Sequence, residues 1–246
     1  HANHIYDIRD IPISMLKRDT HLKVRRITLE GKAELDPIVR EVLNELAYPR
    51  YYLDFETVSF AIPIWVNTKP YQQIPFQFSC HVEETPSVVM HKEFLDVSGN
   101  DPRRDFAEAL IESCGNAGPI IVYNETFEKG RIKELSNLFF DLAENLLELN
   151  ERIFDLHPVV KKHYYHPDMK GSWSIKYVLP CLVPELNYKD LGAVQDGIQA
   201  QQAYFDLTGN TLDEKKQKQL KVDLIEYCKL DTLAMVEIVH KLVIKI

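Results

Sequence analysis

Apolar and polar residues change their spacing several times along the chain, and each change marks an element. Tyr51-Tyr52-Leu53-Asp54-Phe55-Glu56-Thr57 is an aromatic and aliphatic run around two acids, which predicts a strand. Phe76, Phe78, Cys80 and Val82 alternate with other residues and predict a second strand. Ser87–Leu95 predicts a third, set off by the turn signal Thr85-Pro86. Asp101-Pro102 supplies the acid and the proline of a helix start, and Phe106, Leu110, Ile111 and Cys114 then recur on one helical face. Pro119–Tyr123 is short and wholly apolar, the pattern of a strand buried on both faces. From Glu125 onward helical spacing dominates and ends in one long helix from about Asp213.

Three consecutive strands can form an antiparallel meander, and a strand that follows a helix can join it in parallel. The expected class is therefore α/β, with a mixed sheet flanked by helices. Residues 1–48 carry mixed charges and an amphipathic helix over 37–46, with Val39, Val42, Leu43 and Leu46 at helical spacing. They read as an appendage to a main domain over 49–246. The chain begins at His1 rather than a methionine, so the appendage is expected to be the end of an upstream region.

Composition narrows the class. Of 246 residues, 45% are hydrophobic and 27% charged, enough to bury one large core without disulfides or structural metal. The cysteines Cys80, Cys114, Cys181 and Cys228 are far apart and form no CxxC pair, which predicts reduced, buried thiols in a cytoplasmic protein. No apolar run approaches the ~20 residues of a membrane helix, and no signal peptide is visible. The net charge of −8 opposes tight, non-specific duplex binding but not a local basic groove.

Three segments carry candidate chemistry. Asp54 and Glu56 stand two apart on a strand, so both carboxylates project from one face with Cα atoms ~6.6 Å apart, within reach of one divalent ion. Solvated acids at a strand end are the plainer reading. Asn124-Glu125-Thr126-Phe127-Glu128 follows the buried strand, where open α/β sheets build sites. There Phe127 is expected to pack inward, and helix capping by Asn124 with acids in the first turn is the plainer reading. Tyr227 and Asp231 lie on one face of the last helix, four residues apart and at the border of the stripe formed by Leu224, Cys228, Met235 and Ile238.

Together the three segments resemble the DEDD exonuclease superfamily in its tyrosine subclass. Asp54-Phe55-Glu56 matches its DxE motif, Asn124…Phe127-Glu128 its second motif, and Tyr227…Asp231 its YxxxD motif, in order over residues 49–246. Tyr52-Leu53-Asp54-Phe55-Glu56-Thr57, Gly171-Ser172-Trp173-Ser174-Ile175-Lys176 and Tyr227-Cys228 further resemble a bacterial domain-of-unknown-function family, number 2779, whose members are often joined to a RecB-like nuclease module. The resemblance implies a ribonuclease H-like fold and a 3′-to-5′ exonuclease acting on 3′ ends of single-stranded DNA or RNA. It implies two Mg²⁺ or Mn²⁺ ions held by Asp54, Glu56, Glu128 and Asp231, with Tyr227 orienting water and Asn124, Asp155 and Lys176 in support. It departs from the superfamily in one acid: Glu128 stands where aspartate is usual. Two other readings remain: an inactive nuclease-like module that binds nucleic acid or a protein beside an upstream nuclease, and a phosphodiesterase of small nucleotides. His157, His163, His166 and Asp168 are read as polar surface rather than a zinc cluster. Ser172 and Ser174 fall where the superfamily touches substrate or packs beneath its site. Trp65, Tyr71 and Phe76 are packing residues that could instead stack on terminal bases.

Overall fold

The aromatic and aliphatic run around Asp54 forms the central strand of a five-stranded sheet. The structure is a computed structural model that describes residues 5–209 and 212–244. In chain order its elements are α1 (Asp19–Glu30), β1 (Glu34–Leu35), α2 (Ile38–Asn44), β2 (Arg50–Val58), β3 (Ile74–Thr85), β4 (Val88–Leu95), α3 (Arg103–Cys114), β5 (Ile120–Val122), α4 (Glu125–Leu138), α5 (Ala143–Glu151), β6 (Ile153–Asp155), α6 (Leu156–His163), β7 (Tyr164–Tyr165), α7 (Ile175–Leu182), α8 (Gly197–Thr208) and α9 (Glu214–Val243). They divide into two compact units. One takes in the chain up to Glu45, His157–Asn187 and everything from Glu237; the other is Leu46–Leu156 with Tyr188–Val236. Among the described residues no helix is long and apolar enough to cross a membrane.

The second unit holds the sheet, in the order β4-β3-β2-β5-β6. β2, β3 and β4 form the expected antiparallel meander, with Asp54 opposite Ser79 and Ser79 opposite Glu93. The hairpin between β3 and β4 turns at Pro86-Ser87, where Ser87 takes a positive φ of 66° after the proline. β5 joins β2 in parallel, and β6 joins β5 in parallel. This mixed sheet flanked by helices is a ribonuclease H-like arrangement. Gly118 lets β5 enter beside β2: a Cβ there would lie 1.9 Å from the Pro49 carbonyl oxygen. Arg152 clamps the same loop by donating to the carbonyls of Cys114, Gly115, Ala117 and Gly118.

Side-chain alternation sorts the two faces of the sheet. Tyr51, Leu53 and Phe55 of β2, with Phe78, Cys80 and Val82 of β3, pack on Phe106, Leu110 and Cys114 of α3 and on Ile132 and Leu135 of α4. The Phe106 ring meets Phe55 at 5.1 Å and Phe78 at 5.4 Å, both edge-on. The opposite face is buried and polar. Gln77 donates to the Leu224 carbonyl at 2.8 Å, and Ser79 and His81 bond Thr232 Oγ1 at 2.7 and 2.8 Å, so β3 is fastened to α9 by polar contacts. Asp54 and Glu56 stand on that face.

The first unit was expected as an appendage ending at residue 48. It is instead built from three stretches of chain. Val24 and Ile27 of α1 and Val39 and Leu43 of α2 are buried, and β1 pairs with β7 through Glu34 and Tyr165. The buried His163 bonds the Asp36 carboxylate at 2.8 Å, and Trp173 donates to the Tyr164 carbonyl.

Candidate metal centre

Asp54 and Glu56 emerge from the middle of β2, the one partly buried and the other 7% exposed. Tyr51, Leu53 and Phe55 fill the core on the strand's other face, so alternation commits both carboxylates to this one. Tyr227 and Asp231, one turn apart on α9, are both buried, as is Glu128 in the first turn of α4. Burial holds the Asp54 carboxyl well above the usual carboxylate range, and Asp231, Glu128 and Glu56 each raise it further. Three acids, Glu56 of β2, Glu128 of α4 and Asp231 of α9, thus act on Asp54. Cys228 joins them: its thiol lies 3.7 Å from the Asp54 carbonyl oxygen, and potential ligand atoms of Asp54, Glu56 and Cys228 all fall within 4.8 Å of one another. The backbone of Gly197, at the start of α8, closes over Glu56, where a Cβ would stand 3.6 Å from Oε2.

Glu128 is the tightest test of what this cluster can hold. Burial pushes its carboxyl up to about 8, Asp155 adds to the rise, and its own backbone amide and Arg131 oppose it. Its Oε2 is buried with no hydrogen-bond partner. A desolvated carboxylate oxygen without a donor is unfavourable unless a cation reaches it. Hard oxygen donors at this density suit Mg²⁺ or Mn²⁺. Phe127, expected to turn inward, is only partly buried against the core; Glu128 is the buried residue of that turn.

Asn124 occupies the N-cap position of α4 at φ 118°, but its side chain makes no capping bond. Asp155, at the end of β6, accepts from the Asn124 and Glu125 amides at 3.1 and 3.2 Å. The supporting acid therefore holds the helix start that carries Glu128. Tyr188, which no pattern in the sequence singled out, donates its hydroxyl to Asp231 Oδ1 at 2.5 Å. Its ring meets that of Tyr227 at 6.5 Å, edge-on. Burial first, then Asp231, Glu56 and Asp54, keep the Tyr227 phenol protonated far beyond its ordinary range.

The remaining sequence candidates fall elsewhere. Lys176 lies in the first turn of α7 and Ser172 Oγ accepts from the Ser174 amide, all in the other unit. His163 is buried against Asp36 rather than on the surface, because the β1–β7 pairing brings residue 36 to it; His166 Nδ1 accepts from the Asp168 amide. Phe76 is fully buried against Tyr204 and unavailable for stacking; Trp65 donates to the Gly99 carbonyl, and Tyr71 is exposed. Cys80, Cys114 and Cys228 are buried thiols, whereas Cys181 is only half-buried.

Comparison with known proteins gives a family and relatives but no chemistry. The family described as "Domain of unknown function (DUF2779)" matches residues 51–174, which include Asp54, Glu56, Glu128 and Asp155 but end before Tyr227 and Asp231. An uncharacterized protein of Mycoplasma pneumoniae, the MG366 homolog, is 27% identical over 218 residues, covering 81% of this chain and 33% of the relative. Uncharacterized MG366 of Mycoplasma genitalium is 27% identical over 216 residues, 80% of this chain and 32% of the relative. Uncharacterized UU173 of Ureaplasma parvum is 26% identical over 222 residues, again 80% and 32%. The chain spans about a third of the length of these relatives. No solved structure matches significantly.

Proposed function

This chain belongs to the DUF2779 family, and we propose that it is a divalent-metal-dependent exonuclease of the DEDD type, trimming single-stranded nucleic acid from the 3′ end. The observation that carries the reading is the electrostatic cluster in which Asp231, Glu128 and Glu56 all act on Asp54, with a buried Glu128 oxygen that lacks any donor. Such a cluster repels itself, and a pair of divalent cations relieves the repulsion.

Asp54, central to the other three acids, would hold both ions. Glu56 and Asp231 would complete one set of ligands, and Glu128 would support the other. When bound, Mg²⁺ or Mn²⁺ would lower the pKa of the attacking water and stabilise the leaving 3′ oxygen. Tyr227 keeps its proton, so it acts as a donor that orients water or phosphate rather than as a general base. Asp155 fixes the first turn of α4 and thereby the direction of Glu128.

The test uses linear and circular single strands of DNA and of RNA, with a free dinucleotide as a third substrate class. With Mn²⁺ or Mg²⁺, linear strands should shorten stepwise from the 3′ end, and chelation or Asp54→Asn should stop the reaction. Circles cut as fast as linear strands would sink the exonuclease reading. Turnover of the dinucleotide alone would point to a small-nucleotide phosphodiesterase.

A further inference from the structure

Asp231 has a second tyrosine besides the one in its own helix. Tyr188 opens a short 3₁₀ turn, Tyr188–Asp190, 43 residues before Asp231, and its hydroxyl reaches Oδ1 at 2.5 Å. Both residues are buried, at 8% and 7% exposure. A phenol donating to a carboxylate at this distance makes a charge-assisted bond, about twice as strong as a neutral one. A bond to one oxygen restricts the carboxylate's rotation.

The turn that carries Tyr188 is itself anchored to α9. Two turns before Asp231, Asp223 accepts from the Ala193 amide at 3.0 Å and from Gln219 at 2.9 Å. Gly192 lies so close that a Cβ there would stand 2.5 Å from Asp223 Oδ1 and would push that carboxylate aside. Asp223 and Asp231 thus fasten the segment 188–193 at two points on one helix. Because the segment cannot drift, the Tyr188 hydroxyl is held where it is.

We infer that Tyr188 is a positioning residue of the metal centre: through its hydroxyl it sets the Asp231 carboxylate in the orientation used to bind a divalent cation. The inference rests on the metal-dependent reading of the Asp54 cluster. Partners of metal-binding carboxylates typically change metal affinity 10- to 100-fold when removed.

The experiment is a double-mutant cycle on Mn²⁺ affinity, read from the free-Mn²⁺ electron paramagnetic resonance signal and from calorimetry. It compares the wild-type chain, Tyr188→Phe, Asp231→Asn and the double variant, with thermal melts of the chelated proteins alongside. Tyr188→Phe should bind Mn²⁺ on the order of 10-fold more weakly and should add almost nothing in the Asp231→Asn background. An unchanged affinity in Tyr188→Phe would overturn the inference and leave the metal reading standing. So would an equal loss in both backgrounds, since a purely structural tyrosine acts without Asp231. A wild-type chain that binds no Mn²⁺ would remove the metal reading, and this inference with it.

Discussion

Asp54 and Glu128 both hold protons well above the ordinary carboxylate range because each is desolvated among other acids. Linkage turns this into a stability effect of definite sign. A carboxyl raised from its unfolded value of 4.5 to about 8 binds more proton in the folded than in the unfolded protein across that interval. Folding is therefore most favoured below the lower value and weakens as pH rises toward 8. The chelated protein should accordingly melt at progressively lower temperature between pH 5 and 8, and Glu128→Gln should flatten that slope. Mn²⁺ should flatten it too, by stabilising the ionised cluster. A melting temperature that rises with pH over this interval in the chelated wild type would contradict the assignment. Turnover separates the charge of Glu128 from its length. If its carboxylate supports an ion through water, Glu128→Asp should keep substantial activity, because water fills a gap of one methylene. Glu128→Gln keeps the size but not the charge and should lose on the order of 10²-fold in single-turnover rate, about 2.7 kcal/mol. Full activity in Glu128→Gln would take the residue out of the site.

The start of α4 shows how a short strand positions an acid on a helix. Asp155 supplies the cap that Asn124 does not, so Asp155→Ala should cost about 1 kcal/mol in urea unfolding. Asn124→Gly should be neutral or slightly stabilising, since Asn124 sits at φ 118°, where glycine is unstrained. A larger loss for Asn124→Gly than for Asp155→Ala would show the cap assigned to the wrong residue. Sequence spacing could not have revealed this arrangement. β6 is three residues long, too short to display a period of two, and the cap crosses 30 residues of chain. β2 to β5, α3 and α9 were legible because each is long, or wholly apolar, or bounded by turn residues such as Pro86 and Pro102. The grouping of Asp54, Glu56, Glu128 and Asp231 was legible only through motif order, since the polar sheet face under Asp54, Glu56 and α9 carries Gln77, Ser79 and His81, which look like surface positions, and Glu128 comes from a helix on the other face. Tyr188 was not legible: Asn187-Tyr188-Lys189-Asp190 has no periodicity, and its role comes from where the turn is pinned.

The net charge of −8 is unevenly distributed, and the imbalance bears on how a polyanion could be bound. The unit containing the acid cluster carries 15 lysines and arginines against 26 acids, whereas the other carries 14 against 11. The first unit, mildly basic, has a crevice of about 790 Å³ whose buried walls include Tyr165 and Trp173. Arg18, His21, Lys161 and Lys170 line it, and among the described residues none of the four is paired to a carboxylate; Arg9, also at the rim, is held by Asp7. The Lys161 ammonium lies over the Trp173 ring, 6.0 Å from its centre. Unpaired cations around an open crevice are what a phosphate backbone can neutralise, with release of counterions and a salt-dependent affinity. On the exonuclease reading, a long single strand should use this crevice while the reaction itself depends on the acid cluster. Lys161→Gln with Lys170→Gln should therefore weaken binding of a long single strand at low salt and lower the slope of log affinity against log salt by roughly 1.4, at ~0.7 per phosphate contact. The single-turnover rate on a saturating short oligonucleotide should stay within about twofold of wild type, because neither lysine belongs to the carboxylate cluster. Filter-binding titrations across a range of salt concentrations measure the slope directly. A slope unchanged by the double substitution would show that the strand does not pass this crevice, and the acidic unit would then have to bind its substrate through the cations it carries itself.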